Sequence, residues 1–215
     1  MLVLHGIPIN HFRPQGRQQL IAELQRLDIA FRRPSFVAVE WDHEHHRQVA
    51  AQRPAFEEML RKEFLSASED ELQILTNSLG YEGDAHQSVW PDITTIWLDK
   101  GREADNDSIS HYAQRRLEML RAFWKAGGNG QPLGSLLDFI DQKAIARAKV
   151  RQESRDLDQR EQRWITRLAK QLSTLAPGNW GIIILGGSHF HEKFLSEMST
   201  IGYAVRGCFN PWVCL

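Results

Sequence analysis

The sequence predicts an α/β domain built on a mixed, mostly parallel sheet with helices on its faces. Three observations predict it. Short runs of β-branched and apolar residues recur along the chain, several of them apolar throughout, as strands buried on both faces are. Helical patterns separate those runs. Polar groups and glycines follow several of the runs directly, which is where open α/β sheets place their ligands.

Leu2-Val3-Leu4 is the first expected strand, bounded by Gly6 and Pro8. An amphipathic helix follows over Arg17 to Leu27, with Leu20, Leu24 and Leu27 at helical spacing. Phe36-Val37-Ala38-Val39 is the second strand. The polar stretch from Asp42 to about Phe64 has helical composition, interrupted or restarted at Pro54. Ser68 to Leu79 is a further helix. Ser68 and Glu71 form a candidate capping box, and Gly80 suits its C-terminal end.

Ile93 to Leu98 is the third strand, and Ile109, Ala113, Leu117, Leu120 and Trp124 mark a helix beyond Ser108. Gly127 to Gly134 is a loop, and a long helical region follows from about Ser135 to Leu175. Its charged middle, Arg147 to Arg163, is expected to be an exposed helix outside the core. Ile182 to Leu185 is the most apolar strand and ends at Gly186-Gly187. A short helix from Phe190 to Ile201 and a last strand, Tyr203-Ala204-Val205, complete the order. Residues 1–215 are read as one domain, with a possible helical cap at about 101–175.

The net formal charge is -1, with no basic stripe, so nucleic acid is not an expected partner. No apolar run is long enough to span a bilayer. The first residues lack the layout of a signal peptide, and the two cysteines, Cys208 and Cys214, read as reduced thiols. Together these predict a cytoplasmic protein. The oligomeric state is not legible.

His189 follows the Gly186-Gly187 pair at the end of the most apolar strand, a position that a rigid element orients. On that reading, His189→Ala should cost little stability. Glu40 ends the second strand, and a buried carboxylate there needs a partner, a hydrogen-bond network or a metal. His43, His45 and His46 surround Glu44, and the expected arrangement is a solvated helix start. His189 and His191 would share a face in an extended segment, but a helix is expected to begin there. His5 and His11 flank the first loop, and Asp99-Lys100 follows the third strand. Neither a nucleophile elbow nor a phosphate loop with its Lys is present.

The order of these pieces resembles the TraB/PrgY/GumN group, which includes the Tiki metalloproteases and is more distantly related to ChaN-like and erythromycin-esterase-like proteins. The resemblance covers nearly the whole chain. It rests on Val37-Ala38-Val39-Glu40, Gly80-Tyr81-Glu82-Gly83-Asp84-Ala85, Leu98-Asp99-Lys100, Gly186-Gly187-Ser188-His189 and Gly202-Tyr203-Ala204-Val205. Arg163, or its rival Arg155, stands for the arginine-bearing helix. Two departures are visible. Ile9 stands where the first G-x-x-H would have its histidine, and the arginine expected soon after Glu40 is displaced, Arg47 being nearest.

The resemblance implies a metal-dependent hydrolase, peptidase-like, with a peptide or another small molecule as substrate. Glu40, His189 and one of His11 or His5 would hold a divalent ion that lowers the pKa of a bound water. Glu40 or Glu82 would be ligand or base, and Arg163 or Lys100 would stabilise an oxyanion. No organic cofactor is expected. Two other readings use the same fold, a non-catalytic binding or regulatory module and a metal-free, esterase-like hydrolase with His189 as base.

Overall fold

The computed structural model describes residues 2–9, 16–65, 67–99, 159–172, 174 and 179–207, with helical residues 113–114, 117–118 and 121. Five parallel strands form one sheet: β1 (Leu2–Ile9), β2 (Phe36–Val39), β3 (Thr94–Trp97), β4 (Trp180–Gly186) and β5 (Tyr203–Arg206). Their spatial order is β3-β2-β4-β1-β5, and every pairing is parallel. The sequence reading of an α/β fold is therefore correct. Among the described residues the sheet is parallel rather than mixed.

Six helices flank the sheet among the described residues: α1 (Gly16–Phe31), α2 (His43–Ala51), α3 (Arg53–Glu63), α4 (Glu69–Asn77), α5 (Gln159–Leu172) and α6 (Glu192–Thr200). Two cores result. Leu20, Leu24 and Leu27 of α1 pack with Val49, Phe56, Leu60, Leu72 and Leu75 against Val37, Val39, Ile182 and Ile184. On the other face, Trp164 and Leu168 of α5 and Phe194 and Met198 of α6 pack against Phe36, Ala38, Ile183 and Leu185. Alternate residues of β2 and β4 thus serve opposite cores, which is why both runs are apolar at every position.

The strand order explains which helix goes where. The connections β1 to β2 and β2 to β3 run toward the β3 edge, and their helices lie on one face. The connections β3 to β4 and β4 to β5 run the opposite way, and α5 and α6 lie on the other face. Crossovers of a single hand require that division. The neighbours β2 and β4 lead away from each other, β2 toward the β3 edge and β4 toward β5, and such a divergence opens a crevice at the C-terminal ends of the strands.

Local chemistry sets the boundaries. Gln52 separates α2 from α3, and Pro54 falls in the first turn of α3, where its missing N–H costs no helix bond. Ser68 and Glu71 make the expected capping box, and Gly80 has a left-handed φ of 64°. β1 is longer than Leu2 to Leu4. It continues through Gly6 and Pro8 because Ile7 and Ile9 are buried and β4 accompanies it to Gly186. Pro8 is tolerated there because β5 pairs with β1 only as far as His5, so among the described residues one side of β1 carries no ladder at Pro8.

Of the possible cap at about 101–175, α5 packs directly on the sheet, and Ala113 and Leu117 are buried in the first core. Most of the remainder lies outside the described residues, as do the loop at 127–134 and both cysteines. No described helix is long and apolar enough to cross a membrane.

Candidate active site

Glu40 follows β2 and His189 follows β4, and the parallel sheet brings both to one end. The pleat also gives them one face. Phe36 and Ala38 point to the α5–α6 core, and Glu40 continues that alternation. The Glu40 carboxylate accepts from the Gly186 N–H through Oε2 at 2.6 Å. Its Oε1 lies 3.4 Å from His189 Nε2 and 2.8 Å from Arg160 Nη1.

Two residues from the start of α5 complete the cluster, and sequence reasoning missed both. Glu161 is fully buried, and its Oε1 is 2.6 Å from His189 Nδ1. Its Oε2 is 3.2 Å from His191 Nε2. Arg160 forks onto Asp99 after β3, donating from Nε at 2.9 Å and from Nη2. Trp164, one turn on, donates to Asp99 at 2.8 Å, places its ring 4.8 Å from the Arg160 guanidinium and meets the His189 ring edge-on. Arg167 donates to the carbonyls of Trp97 and Leu98 and so ties α5 to the end of β3.

The result is a continuous series of polar contacts: Asp99, Arg160, Glu40, His189, Glu161, His191. The side chains of Glu40, Glu161, His189 and His191 are at most 5% exposed, whereas Arg160 is 27% exposed. The cluster therefore meets solvent at the guanidinium.

The other candidates lie elsewhere. Arg163 is exposed on α5, one turn from Arg160 but on the outer face. The expectation that the whole Arg147 to Arg163 stretch is exposed fails at Glu161, which is core; residues 147–158 lie outside the described residues. His5 pairs with Ile182 in the middle of β1, roughly 13 Å of strand short of Ile9. It faces Glu23 of α1 at 3.9 Å, and burial lowers its pKa. It does not reach the strand ends. Glu82 is fully buried in a 3-10 turn, Tyr81–Gly83, which is joined to the opposite core. Arg47 pairs with Glu44 on the exposed face of α2. His11, Lys100 and Arg155 lie outside the described residues.

A second polar cluster sits under α1, α2 and α3. Asp84 accepts from Arg17, and from Arg53 Nη1 at 2.6 Å. Burial pushes the Asp84 carboxyl up, but the two guanidinium groups outweigh it and hold it below the usual range. His46 is buried rather than part of a solvated helix start. Its Nε2 lies 2.9 Å from the Gly80 carbonyl oxygen, and Gly83 is without a Cβ because one would sit 2.2 Å from the His46 ring. His86, fully buried, has Nε2 2.8 Å from Thr95 Oγ1.

Burial pushes the His86 imidazole down to about 4 from 6.5. The unfolded chain takes up that proton near pH 6.5, and the folded protein does not until about pH 4. Stability from this group is therefore complete above pH 6.5 and falls as the pH drops toward 4, by about 3 kcal/mol in all. His46, also lowered mainly by burial, adds in the same direction. Urea unfolding at pH 7 and pH 4.5 should show the loss, and His86→Gln should reduce the difference. An unchanged difference would assign the acid sensitivity to other groups.

The described residues at the strand ends do not fit a divalent ion. The cation on Glu40 Oε1 is the Arg160 guanidinium, and His189 Nδ1 is already engaged by Glu161. Among the described residues no group of three or more His, Cys, Asp or Glu is arranged to hold a metal. What the cluster offers is an imidazole oriented by a buried carboxylate beside a partly exposed guanidinium. Comparison with protein-family models, with curated proteins and with solved structures finds no match to the chain.

Proposed function

We propose that the chain is a metal-free hydrolase in which His189 is the general base. The observation that carries this reading is the buried contact between Glu161 Oε1 and His189 Nδ1 at 2.6 Å. A carboxylate on one ring nitrogen fixes the tautomer and aims the other nitrogen, the arrangement by which an imidazole takes a proton from a nucleophile. The 3.4 Å between Nε2 and Glu40 Oε1 is longer than a good hydrogen bond, so Glu161 is the stronger partner.

In the proposed step, water attacks the carbonyl carbon of an ester or amide, and its proton passes to His189 Nε2. The oxyanion forms beside Arg160, whose positive charge stabilises it. Collapse breaks the bond to the leaving group, which takes the proton from His189. Asp99 and Trp164 hold Arg160, and Glu40 keeps it next to the imidazole. Peptide bonds are the substrate the Tiki resemblance implies. The esterase-like branch of the same resemblance uses a histidine base without metal, and the fit of the described residues favours that branch.

The test is hydrolysis of a panel of activated esters and short peptides, with and without a strong chelator. Turnover that withstands the chelator and is lost in His189→Asn is the expected result. Turnover that stops with the chelator and returns with zinc would restore the metal-dependent reading. No turnover on any member of the panel would favour a binding module.

A further inference from the structure

His191 has no place in the chemistry just described, yet it is 4% exposed and lies against the carboxylate that orients the base. It is the N-cap of α6. Its Nδ1 accepts from the Phe194 N–H at 3.4 Å, and its Nε2 lies 3.2 Å from Glu161 Oε2. A neutral imidazole has one acceptor nitrogen and one donor. Because Nδ1 accepts from the helix, Nε2 carries the hydrogen and donates to Glu161.

That donor matters because Glu161 is wholly buried. A buried carboxylate stays ionised only when hydrogen bonds favour the charged form, and without them it takes up a proton. Were Glu161 protonated on Oε1, it would donate to His189 Nδ1, and the hydrogen of His189 would move to Nε2. The nitrogen that must accept a proton would then already carry one.

We infer that His191 is a positioning residue: its Nδ1 takes the helix-cap bond, which favours the Nε2–H tautomer, and through that hydrogen it helps to keep Glu161 ionised and thereby biases the tautomer of His189. The chain from backbone to base is Phe194 N–H to His191, His191 to Glu161, and Glu161 to His189. The inference rests on the proposed role of His189 for its catalytic meaning, but the tautomer coupling stands on the geometry alone.

Two substitutions separate capping from positioning. Asn in place of His191 keeps a side-chain oxygen near Nδ1, so α6 stays capped, and removes the donor to Glu161. Gln reaches the Nε2 position, so it keeps the donor and weakens the cap. Nitrogen-15 and proton NMR of the imidazole groups reads the His189 tautomer directly and needs no substrate. In the wild type the His189 Nδ1–H should give a strongly deshielded, slowly exchanging signal. His191→Asn should lose that signal while keeping wild-type thermal stability to within a few degrees, and His191→Gln should retain it. Where ester turnover is measurable, His191→Asn should lower it at least about tenfold, since a wrongly protonated base is ineffective. An unchanged His189 signal in His191→Asn, or equal loss in both variants, would overturn the inference. Absence of turnover in all proteins, with the NMR pattern as expected, would sink the hydrolase reading and leave the coupling standing.

Discussion

His189→Ala should destabilise the protein by about 3–5 kcal/mol and, on the proposed function, also remove hydrolysis. The stability loss comes from what the side chain faces. Glu161 is fully buried and Glu40 nearly so, and both turn a carboxylate oxygen toward the ring. Deleting the ring leaves Glu161 Oε1 without that partner, and removing one side of a buried hydrogen bond to a carboxylate costs this much. A histidine in an open strand-end loop would cost almost nothing, which is what the sequence alone suggests for this position. His189→Asn separates the two effects, because its amide can donate to Glu161 but cannot act as a base. Denaturant unfolding should place the Asn variant close to wild type and the Ala variant far below it. Both should lose turnover by a factor of about 10² to 10⁴. An Ala variant as stable as wild type would mean that Glu161 does not depend on the ring.

Asp84→Ala should have the second largest effect on stability, about 3 kcal/mol. Asp84 is the common acceptor for Arg17 at the start of α1 and Arg53 at the start of α3, and the side chains of all three are at most 19% exposed. Losing the carboxylate leaves two half-desolvated guanidinium groups near each other. Their residual contact with water keeps the figure at the low end for a buried ionic group. Asp84→Asn should recover part of the loss, since its carbonyl oxygen still accepts from one arginine. Thermal unfolding of the two variants in low and high salt would check this. A loss as small as that of an exposed ion pair would show that α1 and α3 are held by their apolar faces alone.

The strands were legible because β2 and β4 are buried on both sides, which forces unbroken apolar runs. β1 was cut short because Gly6 and Pro8 read as punctuation, whereas the partner strand decides where it ends. The meeting of Glu40 and His189 at one end of the sheet was legible for the same reason as the strands: each follows a buried run closely. Glu161 and Arg160 were hidden by composition, since the surrounding residues are charged enough to suggest a solvated helix. The usable signal was periodic. Glu161, Trp164 and Leu168 fall three and four apart, so they share a face, and a tryptophan and a leucine on that face mark it as the inner one. His46 was hidden by its neighbours, because His43 and Glu44 on the same turn are exposed.

The position of β4 also bears on how the chain comes to be folded. β1 and β2 never touch, and each instead lies along β4, with Val3 opposite Trp180 and Phe36 opposite Gly181. During synthesis the first two strands leave the ribosome long before the segment that joins them. Until then both of their inner edges expose unpaired backbone. Contacts of such long sequence separation make folding slow and leave aggregation-prone edges exposed meanwhile. Nascent chains halted before Trp180 should therefore be ready clients for chaperones, and the same late strand that carries the histidine to the site is the one that makes the domain whole.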